Sequence, residues 1–322
     1  MHLPTLRHPR ESNVRGQSPL ARPPSDRHWR GCCSPVRAVT AQAEDSDEKK
    51  SESPGGFPEL DTKYIFGSFT RGSSTGEEGE RAFEPDTVAN FGKRGGRYAA
   101  TQTEAEFEYT PNQFVQLEFG PTISYFDIRG VPGLDDRNMG SINGVVATIR
   151  SLLIERNQSP FAVTLSIEPE WRSLDETSGV GVSNYELEAK IEADAELIKN
   201  RLFLGVNLLY EPETTSVNAM PAVWNTETTI GVSSALAFQV IPNVVVGADL
   251  WYLRHYDGLM FNSFTGNAVY LGPTFFWQIS PKALLSASWE AQVAGHEVGI
   301  ASPFDLTDFS HQRARLLLEF EF

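Results

Sequence analysis

Carboxylates recur at every second position along much of this 322-residue chain, and that spacing is its first feature with a chemical consequence. Glu104, Glu106 and Glu108 form one run, and Glu118 stands alone a little further on. Glu168 and Glu170 precede the longest series, Glu186, Glu188, Glu192, Asp194 and Glu196, which Lys190 interrupts. Glu227, Asp249, Glu290, Glu319 and Glu321 hold the same phase later, and few bases share it: Arg150, Arg172, Lys190, Arg313 and Arg315. Acids gathered in a confined space raise one another's pKa and attract counter-ions, so such a lining would favour cations. A second reading stays open, in which the same side chains fill the space in Glu–Arg and Glu–Lys contacts.

Three histidines lie in the body of the chain: His255, followed by Tyr256 and Asp257, His296, followed by Glu297, and His311. A His–Asp pair at a rim can activate water, which makes a hydrolase using His255 and Asp257 the enzymatic alternative. A serine hydrolase would need a Ser within reach of such a His, as in an H-x-S-N run, and none occurs. No G-x-x-x-x-G-K-[ST] or H-E-x-x-H is present, so no cofactor is implied. Asp135, Asp136 and Asn138 could hold calcium in a loop, although adjacent acids are commonly a solvated turn. Cys32 and Cys33 are neighbours and have no second pair with which to build a zinc site or a disulfide framework.

The elements that must position these acids are strands. Tyr185, Leu187, Ala189, Ile191, Ala193, Ala195 and Leu197 alternate with the acidic series above, a period of two. Composition alone suggests a helix there, but 100° per residue would smear the acids around the cylinder. The same alternation recurs around Phe107, Phe119, Ile167, Val232 and Trp289. Tight connections at 111–112, 157–160, 199–200, 242–243 and 281–282 take turns with longer polar segments at about 71–96, 129–139, 174–184, 212–222, 257–266 and 298–306. The strands between them begin with Tyr64–Thr70 and number about twelve. Short turns on one side and longer loops on the other are the layout of an all-β, antiparallel transmembrane β-barrel with periplasmic turns and extracellular loops.

A soluble two-sheet sandwich shows the same period. Twelve strands closed around an apolar lining would leave voids that packed interiors avoid, whereas turning the apolar face outward to lipid removes the difficulty. Aromatic residues near strand ends fit two headgroup girdles: Tyr109, Phe161, Phe238, Trp277 and Phe322 on the turn side, and Tyr125, Trp171, Tyr185, Tyr210, Trp224 and Tyr252 on the loop side. The lipid bilayer is then the principal partner, and small solutes crossing the acidic lumen by passive transport are the functional expectation.

The chain closes with Ala314, Leu316, Leu318, Phe320 and Phe322 on one strand face. A terminal aromatic after alternating apolar residues resembles the insertion signal that the barrel assembly machinery reads in Gram-negative outer-membrane proteins. The stretch from Leu187 through Asn200 and Arg201 to Tyr210 and Glu211 resembles barrels of the meta-pathway phenol-degradation outer-membrane family. That resemblance implies the fold, an outer-membrane location with the termini in the periplasm, and a transport role.

Residues 1–60 read differently. Arg, Pro and Ser dominate up to Ala43, and Ala41 and Ala43 suit a signal peptidase, giving a candidate cleavage point after Ala43. No apolar h-region precedes it, so the expectation is either a misassigned start or a disordered tail. Residues 44–60 read as a flexible lead-in, and 61–322 as the barrel. With 27 Lys+Arg against 42 Asp+Glu the net charge is −15, which excludes nucleic acid as a main partner. No run of eighteen apolar residues occurs, so no helix spans a membrane.

Overall fold

The computed structural model describes residues 57–67, 69–217 and 222–322. The candidate cleavage point, Cys32 and Cys33, and most of the lead-in lie outside the described residues.

Twelve antiparallel strands close on themselves. They are β1 (Arg81–Phe91), β2 (Arg97–Asn112), β3 (Val115–Arg129), β4 (Arg137–Ile154), β5 (Phe161–Leu174) and β6 (Gly181–Ile198). The second half comprises β7 (Leu202–Val217), β8 (Trp224–Ile241), β9 (Val244–Asp257), β10 (Ser263–Ser280), β11 (Ala283–Glu297) and β12 (Gln312–Glu321). Each pairs with its neighbour in sequence, and β1 meets β12 to seal the wall. Closure removes the edge strands that would otherwise leave unpaired backbone groups in lipid.

Alternation of residue type becomes alternation of face, with the usual polarity inverted. In β3 the side chains of Gln116, Glu118, Thr122 and Ser124 are buried, while Leu117, Phe119, Ile123 and Tyr125 are exposed. The same holds around the wall, where Phe107, Ile149, Ile191, Leu236, Leu250, Phe275 and Trp289 all face outward. Leaving one such side chain in water costs about 1.5–3 kcal/mol. Ten of them would match or exceed the ~5–15 kcal/mol net stability of a water-soluble domain. The belt therefore belongs in lipid, which excludes the soluble sandwich. Both aromatic girdles lie on this outer surface, with Tyr109, Phe161 and Trp277 exposed at one end and Tyr125, Trp171 and Trp224 at the other.

The first strand is not where the sequence pattern puts it. Tyr64–Thr70, expected as the opening wall strand, lies inside the barrel, and the wall begins at Arg81 within what reads as a loop. Tyr64, Ile65 and Phe66 are all buried with no alternation of face, as suits a segment surrounded by protein. In β1, Ala82, Glu84 and Asp86 face inward and alternate with the less buried Phe83, Pro85 and Thr87. Pro85, which has no N–H, falls where the β1–β12 ladder has a gap between the pairs Phe83↔Phe320 and Asp86↔Leu317.

Candidate functional site

Residues 57–80 fold back into the barrel from the end that carries both β1's start and β12's finish. Phe57 is fixed at the rim by Asn200, whose side-chain amide donates to its carbonyl at 2.6 Å, and by the Arg201 guanidinium 3.8 Å from its ring. Asn200 has φ of 52°, a left-handed conformation that Asn tolerates in a tight turn. Deeper in, the backbone doubles on itself, with the Gly72 N–H donating to the Lys63 carbonyl at 2.9 Å. The segment leaves beside β2, where Gly79 N–H donates to Thr110 O and Thr110 N–H donates to Glu80 O.

The lumen that receives it has two chemically distinct walls. Inward positions of β7–β12 supply Phe203, Ala235, Ala237, Val245, Phe276, Leu284 and Leu317, and Tyr64, Ile65 and Phe66 pack onto them. Gly205 on β7 makes room, because a Cβ there would lie 3.1 Å from both the Phe66 ring and Thr70 Cγ2. Inward positions of β1–β6 supply acids. Lys63 Nζ lies 2.5 Å from Glu108, 2.9 Å from Glu118 and 3.5 Å from Glu84, which also accepts the Tyr64 hydroxyl. The Arg71 guanidinium stands 3.7–3.8 Å from Glu84, Asp86 and Glu118. Asp194 accepts from Thr62, Ser73 and Arg156, and Asp249 from Thr70, while Arg150 donates to the carbonyls of Gly72 and Ser74 and to Glu192. Removing one partner of these buried pairs strands the others.

Above the inner segment the lumen opens into a cavity of about 470 Å³ on the long-loop side. Its acidic wall is organised by strand register. Glu170 on β5 stands opposite Glu186 on β6, Glu186 opposite Glu213 on β7, Glu213 opposite Glu227 on β8, and Glu227 opposite Asp257 on β9. The row climbs from interior to rim: the side chains of Glu170, Glu186 and Glu227 are 5%, 14% and 47% exposed, and Asp257 is exposed at the end of its strand. Glu168 opposite Glu188, and Asp86 opposite Glu104, add two more like-charged pairs. Like charges placed directly opposite destabilise a sheet, so the row carries a cost in stability that its surroundings must offset. The facing wall is apolar and aromatic: Phe69 of the inner segment with Trp251, Leu253 and Tyr270, flanked by Leu209 and Phe309.

Most inward acids of the sequence fall into two groups. Glu108, Glu118, Asp194 and Asp249 hold the inner segment directly, and buried Glu319 sits with Glu84 and Glu108 beneath it. Glu104, Glu168, Glu170, Glu186, Glu188 and Glu227 line the outer cavity, as do Arg172, Lys190, Arg313 and Arg315. These bases are already engaged: Arg172 with Glu170 and Glu186, Lys190 with Glu188, Arg313 with Glu290, and Arg315 with Asp86. Glu192 pairs with Arg150 inside the wall. Glu106 is buried, and among the described residues neither carboxylate oxygen has a hydrogen-bond partner. Leu316, Phe320 and Phe322 are exposed on the outer face of β12, with Leu318 half-buried between them.

His255 does not pair with Asp257. Its Nδ1 lies 2.8 Å from Thr265 Oγ1 and 3.5 Å from Asp308, and its Nε2 lies 3.4 Å from Glu227. The imidazole thus ties β8, β10 and the loop 298–311 together at the mouth. Burial alone would push the Asp308 carboxyl up, but hydrogen bonds from His255 and Thr265 outweigh it and hold it below the ordinary range. Lys93 completes the tie by donating to the carbonyls of Thr307 and Phe309. Asp136, the calcium candidate, accepts the Gly130 N–H at 2.6 Å and closes its own loop. Sequence reasoning missed Lys63, Arg71, Glu84, Asp86, Glu213 and Trp251. The signal for the first two was a pair of cations flanking an apolar triplet in a chain whose strands are acidic.

Among the solved structures that resemble this fold are three barrels. An outer-membrane channel from Pseudomonas putida F1 shares 11% identity at a TM-score of 0.51, over 78% of this chain and 98% of that one. The β domain of the Bordetella autotransporter BrkA shares 12% identity at 0.49, over 76% and 100%. The NanC porin shares 9% at 0.45, over 74% and 100%. The first carries the assignment of fold, that of an outer-membrane β-barrel. No curated protein matches the sequence. Residues 59–322, which take in the inner segment together with the whole wall, match DUF6662, and the chain belongs to this family of unknown function.

Proposed function

We propose that this protein is a channel of the Gram-negative outer membrane that passes small cationic solutes passively, with its own residues 57–80 closing the periplasmic half of the lumen. The observation that carries this reading is the acid row from Asp257 to Glu170, which leads from the outer rim to the interior. Such a row raises the local concentration of cations and repels anions at the mouth, the same physics as charged rings in cation channels. The strand-pattern resemblance to the meta-pathway outer-membrane family adds a transport expectation of the same kind. Passage requires the inner segment to shift, since Tyr64, Ile65 and Phe66 fill the space between the walls.

A second reading has a specific observation behind it. The segment is locked by buried pairs at Lys63, Arg71, Asp194 and Asp249, as a permanent filling would be, which would make the barrel a non-conducting one. Conductance in planar bilayers, with a salt gradient to fix the reversal potential, separates the two. Cation-selective steps support passage; a folded, inserted and silent barrel supports the filled wall.

A further inference from the structure

We propose that the outer cavity binds a small organic cation with an aromatic or aliphatic body, of which an arylalkylammonium ion is the simplest case. The inference deepens the cation reading above but does not depend on conduction. The cavity, at about 470 Å³, is of ligand size. Glu104, Glu168 and Glu211 line it and, among the described residues, have no Lys, Arg or His within ion-pair distance. Glu106, one inward step below Glu104 on β2 and outside the cavity's lining, is fully buried, and neither oxygen has a hydrogen-bond partner among the described residues. A buried carboxylate in that state is costly unless a proton or a cation neutralises it. Among the described residues the cavity's arginines and Lys190 already face carboxylates and Lys93 donates to two backbone carbonyls, so its bases are engaged before an anionic ligand arrives.

The opposite wall sets the rest of the ligand. Phe69, Trp251 and Tyr270 form an aromatic shelf that already accepts one planar cation, the Arg313 guanidinium, at 4.2 Å from Phe69, 5.5 Å from Trp251 and 4.4 Å from Tyr270. The lower lumen displays the same pairing with an occupant in place. There the Lys63 ammonium sits among Glu84, Glu108 and Glu118 while Tyr64, Ile65 and Phe66 cover the apolar wall. The chain's own segment is an amphipathic cation, and the cavity above it repeats the surroundings that hold it. Phe69 belongs to both, so a ligand on the shelf touches the inner segment.

The test is calorimetric titration of the full chain in detergent with 2-phenylethylammonium, ethylammonium and phenylacetate. The expected result is saturable binding of 2-phenylethylammonium, about tenfold tighter than ethylammonium, and none of phenylacetate. A Glu168→Gln/Glu211→Gln variant should weaken both amines, and Trp251→Leu should erase the advantage of the ring while sparing ethylammonium. Equal binding of phenylacetate, or no binding of either amine, overturns the proposal, and because these comparisons use the unaltered chain they stand even if a variant fails to fold. Binding without conductance would sink the passage reading and keep the site, whereas conductance without binding would do the reverse.

Discussion

Lys63 Nζ, on the segment inside the barrel, lies 2.5 Å from the Glu108 carboxylate on β2, with both side chains buried. The barrel thus supplies a counter-cation to its own acidic lining. Removing one member of a buried pair costs about 3–5 kcal/mol, because the charge left behind has neither water nor partner. Lys63→Met should lower stability by that order in urea unfolding, and Lys63→Met/Glu108→Gln should recover part of it. An unchanged midpoint for Lys63→Met would show that the pair does not hold the segment.

Gly205 offers a steric route to the same segment. A Leu side chain there would project into the space of Phe66 and Thr70, which leave no room even for a Cβ at ordinary contact distance. Gly205→Leu should dislodge residues 57–80 while leaving the wall intact, since its outer face is untouched. Limited trypsin digestion reads this directly: Lys63 and Arg71 are buried, so they should resist cleavage in the native chain and be cut in the variant. Equal resistance in the two proteins would place the segment elsewhere.

Neutralising the acid row should move stability and selectivity in opposite directions. Glu213 faces Glu186 on one side and Glu227 on the other. Glu213→Gln relieves both repulsions and should stabilise the barrel by about 0.2–1 kcal/mol. The same change should shift the reversal potential toward zero. A drop in stability would mean that a bound cation normally offsets the row.

The loop 298–311 should respond to pH. Burial, with the Asp308 charge nearby, pushes the Asp305 carboxyl up to about 7, and Glu297 also faces it. A raised carboxyl favours the neutral form, so its contribution is present below the ordinary value and lost as pH rises through about 7. Asp308, held low, has the opposite sign, and its contribution is lost only in acid, as pH falls below the ordinary carboxylate range. Amide exchange in 298–311, corrected for intrinsic rates, should therefore be slower at pH 5.5 than at pH 8. Asp305→Asn should shrink the difference, and a profile unchanged by that substitution would refute the assignment.

Strand number was legible because period two survives any change of register, and the inverted faces because twelve strands closed around an apolar lining would leave voids. Which acids meet was not, because turns and bulges set the register: Glu170, Glu186, Glu213, Glu227 and Asp257 form a row only once five strands are aligned. Glu213 was further hidden by Pro212, which made the end of β7 read as a loop. The exchange of Tyr64–Thr70 for Arg81–Phe91 has a similar cause. Aromatic and β-branched composition favours a strand at the first, and Pro85 with Glu84 and Asp86 disfavours one at the second. Alternation, present in the second and absent around Tyr64, Ile65 and Phe66, was the better guide than propensity.

The central claim is a cation-attracting lumen closed by its own chain, and the most direct measurement is the reversal potential and conductance of the native protein beside Gly205→Leu in a planar bilayer under a potassium chloride gradient. The account predicts rare, small, cation-selective openings for the native chain and larger, persistent ones of the same selectivity for the variant. Anion selectivity in either protein, or a folded Gly205→Leu barrel that conducts no more than the native one, would contradict it.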